Sequence, residues 1–366
     1  MTTRILHVFG AMNRGGAEMR TVSLIEKMRS NDIQFDFCVL SGENGVLDEN
    51  IRQLGGNIYY CKLGPTFIFR FIKLLRKNPF FAVHSHVAYV SGFILLLGMI
   101  AGIKKRIAHF RNTTAIGSNS KLRIARDKVL KFLINVCATD ILAVCNGAMD
   151  GFWGTAWRKE KRCQVIYNGF EIPKRHIRLD FWSDYITGYA GQKIVVNVAR
   201  MDIQKNHLRQ CDIFFELYKQ NTNTLMVFIG KEDSQRKAEM MDKLSLYKIQ
   251  DKVLFLGLQT DVLKFLTHAH VMLFPSEWEG LPGVVLESAS VGLPVVASDL
   301  PGVEEIAEQL PNIHIVNRCD SNTQWAQKLQ QELAHNSDPQ LMIEAFNRSD
   351  FLIDSNIDQL YAIYSN

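Results

Sequence analysis

The chain has 366 residues, 47% apolar and 22% charged, a composition that fits a folded globular protein and excludes disordered, collagen-like and disulfide-scaffold chains. At roughly 150 residues per domain it predicts two domains, and its seven cysteines stand singly with no C-x-x-C pair, as expected for reduced core thiols and against a zinc site. Charge is divided unevenly: residues 1–180 hold 27 Lys and Arg against 13 Asp and Glu, a net of +14, and residues 181–366 hold 15 against 24, a net of −9.

The first sixteen residues, MTTRILHVFGAMNRGG, lack the charged start, long apolar stretch and cleavage site of a secretory signal, so a protein that stays inside the cell is expected. β-rich runs then alternate with helical stretches: RILHVF (4–9), IQFDFCVL (33–40), NIYYC (57–61), FAVHSH (81–86), RIAHF (106–110), DILAVC (140–145) and CQVIYN (163–168). The second half repeats the scheme with KIVVNVAR (193–200), LMVFIG (225–230), VLFLG (253–257), VMLFPS (271–276), PVVAS (294–298) and IHIV (313–316), with helices such as 208–219 and 234–247 between them. Alternation of this kind predicts βαβ units and two doubly wound, Rossmann-like parallel sheets, with ligands beyond the carboxyl ends of the strands. The expected domains are 1–175 and 190–345, joined through the irregular stretch 173–192, with a terminal helix over 346–366 that crosses back to the first domain. Residues 87–103 are apolar or small throughout and are read as a buried core helix rather than a membrane span, being at the short limit for one. From Ile51 to Arg126 there are 13 basic residues and no acidic one, which points to an anionic partner, with a solvated basic face as the alternative. Within it FIFRFIKLLRK (67–77) places Phe67, Phe71, Leu74 and Leu75 at helical spacing among four cations, as a helix lying on an anionic membrane would, or a helix with a core-facing apolar side.

Three segments carry candidate chemistry. After the first strand, GAMNRGGAE (10–18) opens a helix near Ala17; Gly15 and Gly16 permit close backbone approach and the helix start offers free N–H groups to a phosphate, a plain tight turn being the alternative. No G-x-G-x-x-G fingerprint accompanies it, which weighs against a dinucleotide cofactor. VARMDIQKNH (198–207) sets Arg200 and Lys205 beyond a strand end, where fixed positive charge suits a pyrophosphate leaving group. In FPSEWEGLPGVVLESAS (274–290) a strand end is followed by Glu277, Glu279 and a helix start, whose Leu281, Gly283 and Val284 supply donors that Pro282 cannot. Glu287, one turn inside that helix, is placed to accept from a ribose diol.

The last segment resembles the E-x7-E signature, here Glu279 and Glu287, of the retaining GT-B glycosyltransferases of family 4, the "group 1" enzymes that include capsule, exopolysaccharide and lipopolysaccharide sugar transferases. GGAE (15–18), VHSH (83–86), IAHFRN (107–112), VIYNG (165–169), FLGLQTDV (255–262) and GLPVVASDLPGVEE (292–305) extend the resemblance along the whole chain. It implies two Rossmann-like domains facing a cleft, with the first binding the acceptor and the second the nucleotide-sugar. It further implies Gly16 at the donor phosphate, Arg200 and Lys205 on the pyrophosphate, Glu287 on the ribose, Glu279 on the sugar hydroxyls and His109 near the transferred sugar. His86 is a second histidine, on the acceptor side, and His84 lies two residues back on the same strand face. The chain departs from the family pattern at Glu232, where relatives often have glycine, and at His270, where many have an acidic residue.

No D-x-D triplet occurs, so no metal and no cofactor is expected, and charge neutralisation falls to Arg200, Lys205 and the helix starts. The expected reaction moves a sugar from a nucleotide-sugar, a UDP-sugar before GDP-mannose, onto a glycan or lipid-linked acceptor such as a polyprenyl diphosphate. It proceeds with retention, the enzyme being cytoplasmic or seated on the inner face of the membrane. A UDP-sugar 2-epimerase of the same architecture is the alternative enzyme, and a basic nucleic-acid-binding protein is a third reading, disfavoured because no reading helix or aromatic-basic RNA motif is present.

Overall fold

The structure is a computed structural model that describes residues 2–13, 15–113, 120–174, 176–335 and 338–365. The seven β-rich runs of the first half become β1 (Thr3–Phe9), β2 (Ile33–Val39), β3 (Ile58–Tyr60), β4 (Phe80–Ser85), β5 (Lys105–Phe110), β6 (Asp140–Ala143) and β7 (Cys163–Val165). They form one parallel sheet in the order β3-β2-β1-β4-β5-β6-β7. The six runs of the second half become β8 (Lys193–Val198), β9 (Thr224–Ile229), β10 (Val253–Phe255), β11 (Val271–Phe274), β12 (Val295–Ser298) and β13 (Ile313–Val316), parallel in the order β10-β9-β8-β11-β12-β13. Both sheets reverse winding direction at a single place, between β1 and β4 and between β8 and β11, and such switch points are where open α/β sheets bind ligands. The strands read as near-continuous apolar runs because helices cover both faces of each sheet.

The chain divides into two compact units, Met1–Gly169 with Ile353–Asn366, and Phe170–Leu352. These bounds differ from the expected 1–175, 190–345 and 346–366, for two reasons. The stretch 173–192 is not a bare connector: Phe181 and Trp182 are buried, with Phe181 edge-on to Phe265, and the Trp182 indole N–H donates to the His268 carbonyl at 2.7 Å. The expected terminal helix is broken between Asn347 and Ile353; Phe346 and Phe351 are fully buried in the second unit, and only Ile353–Ser365 belongs to the first. That last helix buries Ile353, Ile357, Leu360, Ile363 and Tyr364 against Ile5, Phe35, Ile107 and Leu142 of the first sheet.

Residues 91–100 form the expected buried helix, and no helix among the described residues is long and apolar enough to cross a membrane. The basic helix Phe67–Lys77 turns Phe67, Phe71 and Leu75 into the core, so its apolar side is structural while its cations remain outside. An apolar stripe does reach solvent two helices further on: in Lys121–Cys137, Leu122, Val129, Phe132 and Val136 are 83, 60, 63 and 55% exposed.

Candidate active site

In the second unit the expected residues gather at the β8/β11 switch. The turn after β8 reaches Asn206 in the left-handed region (φ 53°), a conformation asparagine tolerates, and its side-chain amide donates to Glu277 Oε1 at 2.5 Å. This ties the Arg200–Asn206 loop to the one that follows β11, reinforced by the Glu277 N–H donating to the Gln204 carbonyl at 2.9 Å. Lys205 and Glu279 meet directly as a largely buried ion pair, and the ammonium also lies 5.5 Å from the centre of the Phe274 ring. The structure therefore joins two residues that the sequence assigned to different parts of the donor. Arg200 stands apart, its guanidinium largely exposed and 3.4 Å from Asp202.

The helix Gly283–Ser290 begins just after this loop with Pro282 as its cap and no side-chain cap bond, which leaves its first amides directed outward. Leu281 is buried beneath the start, Gly283 and Val284 are partly open, and Glu287 is half-buried one turn in. Close backbone contacts fix these loops: a Cβ on Gly230 (φ 141°) would lie 2.0 Å from the Ala199 carbonyl oxygen, and one on Gly302 would lie 1.8 Å from that of Gly280. The two departures from the family pattern are structural. Glu232 pairs with Lys237 at 2.7 Å, and His270, held down to about 4 by burial, accepts the Ile194 N–H on Nδ1 at 3.0 Å.

In the first unit the helix Gly16–Ser23 starts after β1 with Gly15 as its cap and no capping side chain. Gly16 is exposed with open space where a Cβ would stand, whereas Gly15 is covered by the folded-back carboxylate of Glu18, 2.2 Å from such an atom.

Behind this helix start lies a cluster of four imidazoles on one face of the sheet at the β1/β4 switch. His7 of β1 sits opposite His84 of β4 in the register, and His86 and His109 continue β4 and β5 toward their carboxyl ends. Two hydrogen-bonded rows run through it. In one, Arg111 Nε–H donates to His86 Nδ1 at 3.2 Å and His86 Nε2 meets His7 Nδ1 at 3.0 Å; in the other, Tyr364 Oη meets His84 Nδ1 at 2.6 Å and His84 Nε2 meets His109 Nδ1 at 3.0 Å. The rows stack on each other, with His84 and His86 rings 4.3 Å apart and His86 also 4.2 Å from Phe9. Burial holds all four imidazoles neutral, pushing His7 down to about 3 and the others well below their ordinary value, with the Arg111 charge adding to the effect. Arg111 is itself pulled down to about 10 by burial and remains a cation, anchored by a 2.7 Å bond to Asn168 Oδ1.

Ring nitrogens of His7, His84 and His86 lie within 4.8 Å of one another, the spacing of a metal-ligand set. Their ring planes differ by only 16 to 32°, and lone pairs lie in the ring plane, so they do not converge on a common point, and His86 spends both nitrogens on Arg111 and His7. His109, by contrast, has its Nε2 buried with no partner, and it borders a cavity of about 10 Å³ shared with Arg111, Asn168 and Asn356. Sequence reasoning singled out His84, His86 and His109 but not His7, Arg111, Asn168 or Tyr364. Arg111 and Asn168 stand inside the quoted motifs IAHFRN and VIYNG.

The family model for glycosyl transferases group 1 matches residues 184–348 and that for glycosyltransferase family 4 matches residues 14–172. The chain is 33% identical over 306 residues, 83% of each protein, to the capsular polysaccharide biosynthesis glycosyltransferase CapH of Staphylococcus aureus. It is 25% identical over 302 residues, 78% of this chain and 76% of the other, to the UDP-Gal:alpha-D-GlcNAc-diphosphoundecaprenol alpha-1,3-galactosyltransferase of Escherichia coli. Among solved structures it shares its fold with HepE of Anabaena in complex with UDP, at a TM-score of 0.83, 16% identity and full coverage of both chains.

Proposed function

The chain belongs to the glycosyltransferases of group 1 and family 4, two-domain GT-B enzymes of surface polysaccharide synthesis, and from that premise we propose that it transfers a sugar with retention, without a metal, from a UDP-sugar to a lipid-linked diphosphate acceptor. The observation that carries the donor half of this reading is the Lys205–Glu279 pair beside the uncapped start of Gly283–Ser290, at the switch point of the second sheet. A diphosphate arriving there meets an ammonium and outward amides, takes over Lys205, and frees Glu279 for the sugar hydroxyls, while Arg200 swings from its exposed pair onto the phosphate. Glu287 accepts from the ribose. In the first unit Gly15 and Gly16 keep their assignment to phosphate and His109 its assignment to the sugar, while His86, assigned to the acceptor, has both ring nitrogens already engaged.

In the reaction the bond from the anomeric carbon to the diphosphate oxygen breaks and the nucleoside diphosphate leaves with the electron pair. The acceptor hydroxyl attacks the face being vacated, and its proton passes to the departing phosphate oxygen. The protein's cations and helix amides stabilise the charge that builds on that leaving group, the role a metal plays elsewhere. UDP as the nucleotide is supported by the UDP named for HepE and the UDP-Gal named for the E. coli relative, and a diphospho-lipid acceptor by the same relative's name.

The acceptor reading also places the first unit at the inner face of the cytoplasmic membrane. Its support is the exposed Leu122, Val129, Phe132 and Val136 stripe, flanked on its helix by Lys121, Arg126 and Lys128. Wild type should co-sediment with anionic vesicles and a variant with all four apolar residues changed to Ser should not; equal partitioning removes the membrane from the proposal. The reaction is tested by incubating the protein with radiolabelled UDP-sugars, with and without a polyprenyl-diphosphate sugar. Label entering the lipid phase only with acceptor present is the expected result. A donor whose sugar is converted to its 2-epimer without any acceptor would establish the epimerase instead.

A further inference from the structure

We propose that Tyr364 and His84 are positioning residues that hold His109 in the tautomer carrying its proton on Nε2, so that His109 meets the substrate as a neutral hydrogen-bond donor and not as a base. The proposal rests on the reading of His109 as a substrate-facing residue and goes beyond it by fixing which atom carries the proton and what keeps it there.

The argument is a count of protons in the two rows. Arg111 can only donate, so His86 Nδ1 must accept, which places the His86 proton on Nε2 and makes His7 Nδ1 an acceptor in turn. The first row is thereby polarised in one direction and ends on His7 Nε2–H, which is buried without an acceptor. The second row has no arginine, and its direction is set by the phenol at its other end. Burial pushes the Tyr364 hydroxyl upward from its ordinary pKa, so it keeps its proton, and His84 Nδ1 is the acceptor within reach at 2.6 Å. With Tyr364 donating, His84 carries its proton on Nε2, donates to His109 Nδ1 at 3.0 Å, and leaves one unpartnered group, His109 Nε2–H. With the row reversed, one donor is still left over, the Tyr364 hydroxyl proton, and the acceptor left unused is a bare His109 Nε2, a far stronger acceptor than the phenol lone pair that the forward direction leaves unused. The forward direction is therefore the stable one.

What the row delivers is a donor on a residue that borders a small cavity. The cavity of about 10 Å³ that His109 borders has room for about one water-sized oxygen, and Arg111 and Asn168, bonded to each other, also line it. A sugar hydroxyl or phosphate oxygen brought against His109 satisfies the orphan Nε2–H, whereas a bare Nε2 would face a phosphate oxygen's lone pair and repel it. Tyr364 is well placed to do this because the helix that carries it packs its apolar residues into the same core, leaving the phenol little freedom to turn away.

The test is Tyr364→Phe, which keeps the ring and removes only the hydroxyl, read by long-range imidazole ¹⁵N correlation on ¹⁵N-histidine-labelled full-length protein and by steady-state kinetics. Wild type should show His109 with its proton on Nε2; in Tyr364→Phe that signal should move toward a mixture of tautomers. The kcat should fall about 10–100-fold, the range for removing the second partner of a functional imidazole, with the donor KM within about twofold. His84→Gln, whose amide can still donate to His109 Nδ1, should recover most of that loss, and His84→Leu should not. If Tyr364→Phe fails to fold, the two His84 variants carry the same comparison. An unchanged His109 tautomer in Tyr364→Phe, or equal kcat in the two His84 variants, overturns the proposal. A fully active His109→Asn enzyme would instead refute the reading of His109 on which it rests, while leaving the tautomer measurement to judge the relay.

Discussion

The two units solve the same problem with opposite materials. Each is a parallel sheet that reverses direction once and gathers polar residues at that switch, but the second unit uses charge and the first uses neutral rings. Lys205 and Glu279 form a compact ion pair beside outward-facing helix amides, an arrangement that a diphosphate can enter by replacing one anion with another. His7, His84, His86 and His109 are kept uncharged by burial and joined in directed hydrogen-bonded rows. The lesson is that overall charge misleads about local chemistry: the half with a net charge of +14 builds its switch point mostly from neutral donors and acceptors, and the half at −9 holds the candidate phosphate-binding cations.

The comparison is broken most severely by removing the cation of the second unit. Lys205→Ala should lower kcat roughly 10²–10³-fold, the usual loss for a preorganised electrostatic group, and should also lower the melting temperature, because it leaves the largely buried Glu279 without its cation. Arg200→Ala, starting from an exposed pair, should cost less in turnover and nothing measurable in stability. A Lys205→Ala protein that is fully active but unstable would make the pair a structural bridge.

The next effect separates the units by acid. Below pH 6.5 an unfolded chain protonates imidazoles that the native protein keeps neutral, so stability falls as pH falls from about 6.5 toward the folded values, about 3 for His7 and about 4 for His207 and His270. Each such group contributes up to about 1.4 kcal/mol per pH unit in that window. The first unit has four, packed so that protonating one opposes protonating the next, while the second has His207, His270 and His314 apart, the last lowered by burial against the opposing pull of Glu332 at 2.9 Å. Calorimetry between pH 7 and pH 5 should therefore show one of two melting components moving down much more than the other, with hydrogen exchange assigning it to the first unit. Parallel shifts would contradict the difference.

The smallest expected effect is that of a chelator. With Lys205, Arg200 and the helix amides as the charge-bearing groups, transfer in excess EDTA should stay within about twofold of the untreated rate. Loss of activity restored by Mg²⁺ or Mn²⁺ would assign the neutralising charge to a metal.

Much of this was legible in the sequence, and the parts that were not have a common cause. All the strands of both sheets coincide with the predicted β-rich runs, because a strand covered on both faces reads as a near-continuous apolar run. Arg200, Lys205 and Glu279 lie in the loops that follow strand ends, Gly283 and Glu287 in the first turns of the helix after β11, and all could be found by position. What escaped is what depends on distant chain segments: Tyr364 meets His84 across 280 residues, and His7 reads as one more member of a strand until its neighbour in the sheet is known. The unit boundary escaped for the same reason, since Phe181 and Trp182 look like scattered aromatics until Phe265 is found beside them. The close meeting of Lys205 with Glu279, 74 residues apart, was likewise invisible, although each was chosen.

The assignment of the second unit as the nucleotide-binding one is tested most directly by calorimetric titration of UDP into the wild-type chain and into Glu287→Ala. Wild type should bind, and the variant, having lost the carboxylate that accepts from the ribose, should bind at least about tenfold more weakly, the worth of a charge-assisted hydrogen bond, while melting at nearly the same temperature. Equal affinity in two equally folded proteins would contradict the placement of the ribose at Glu287 and, with it, the donor site at the β8/β11 switch.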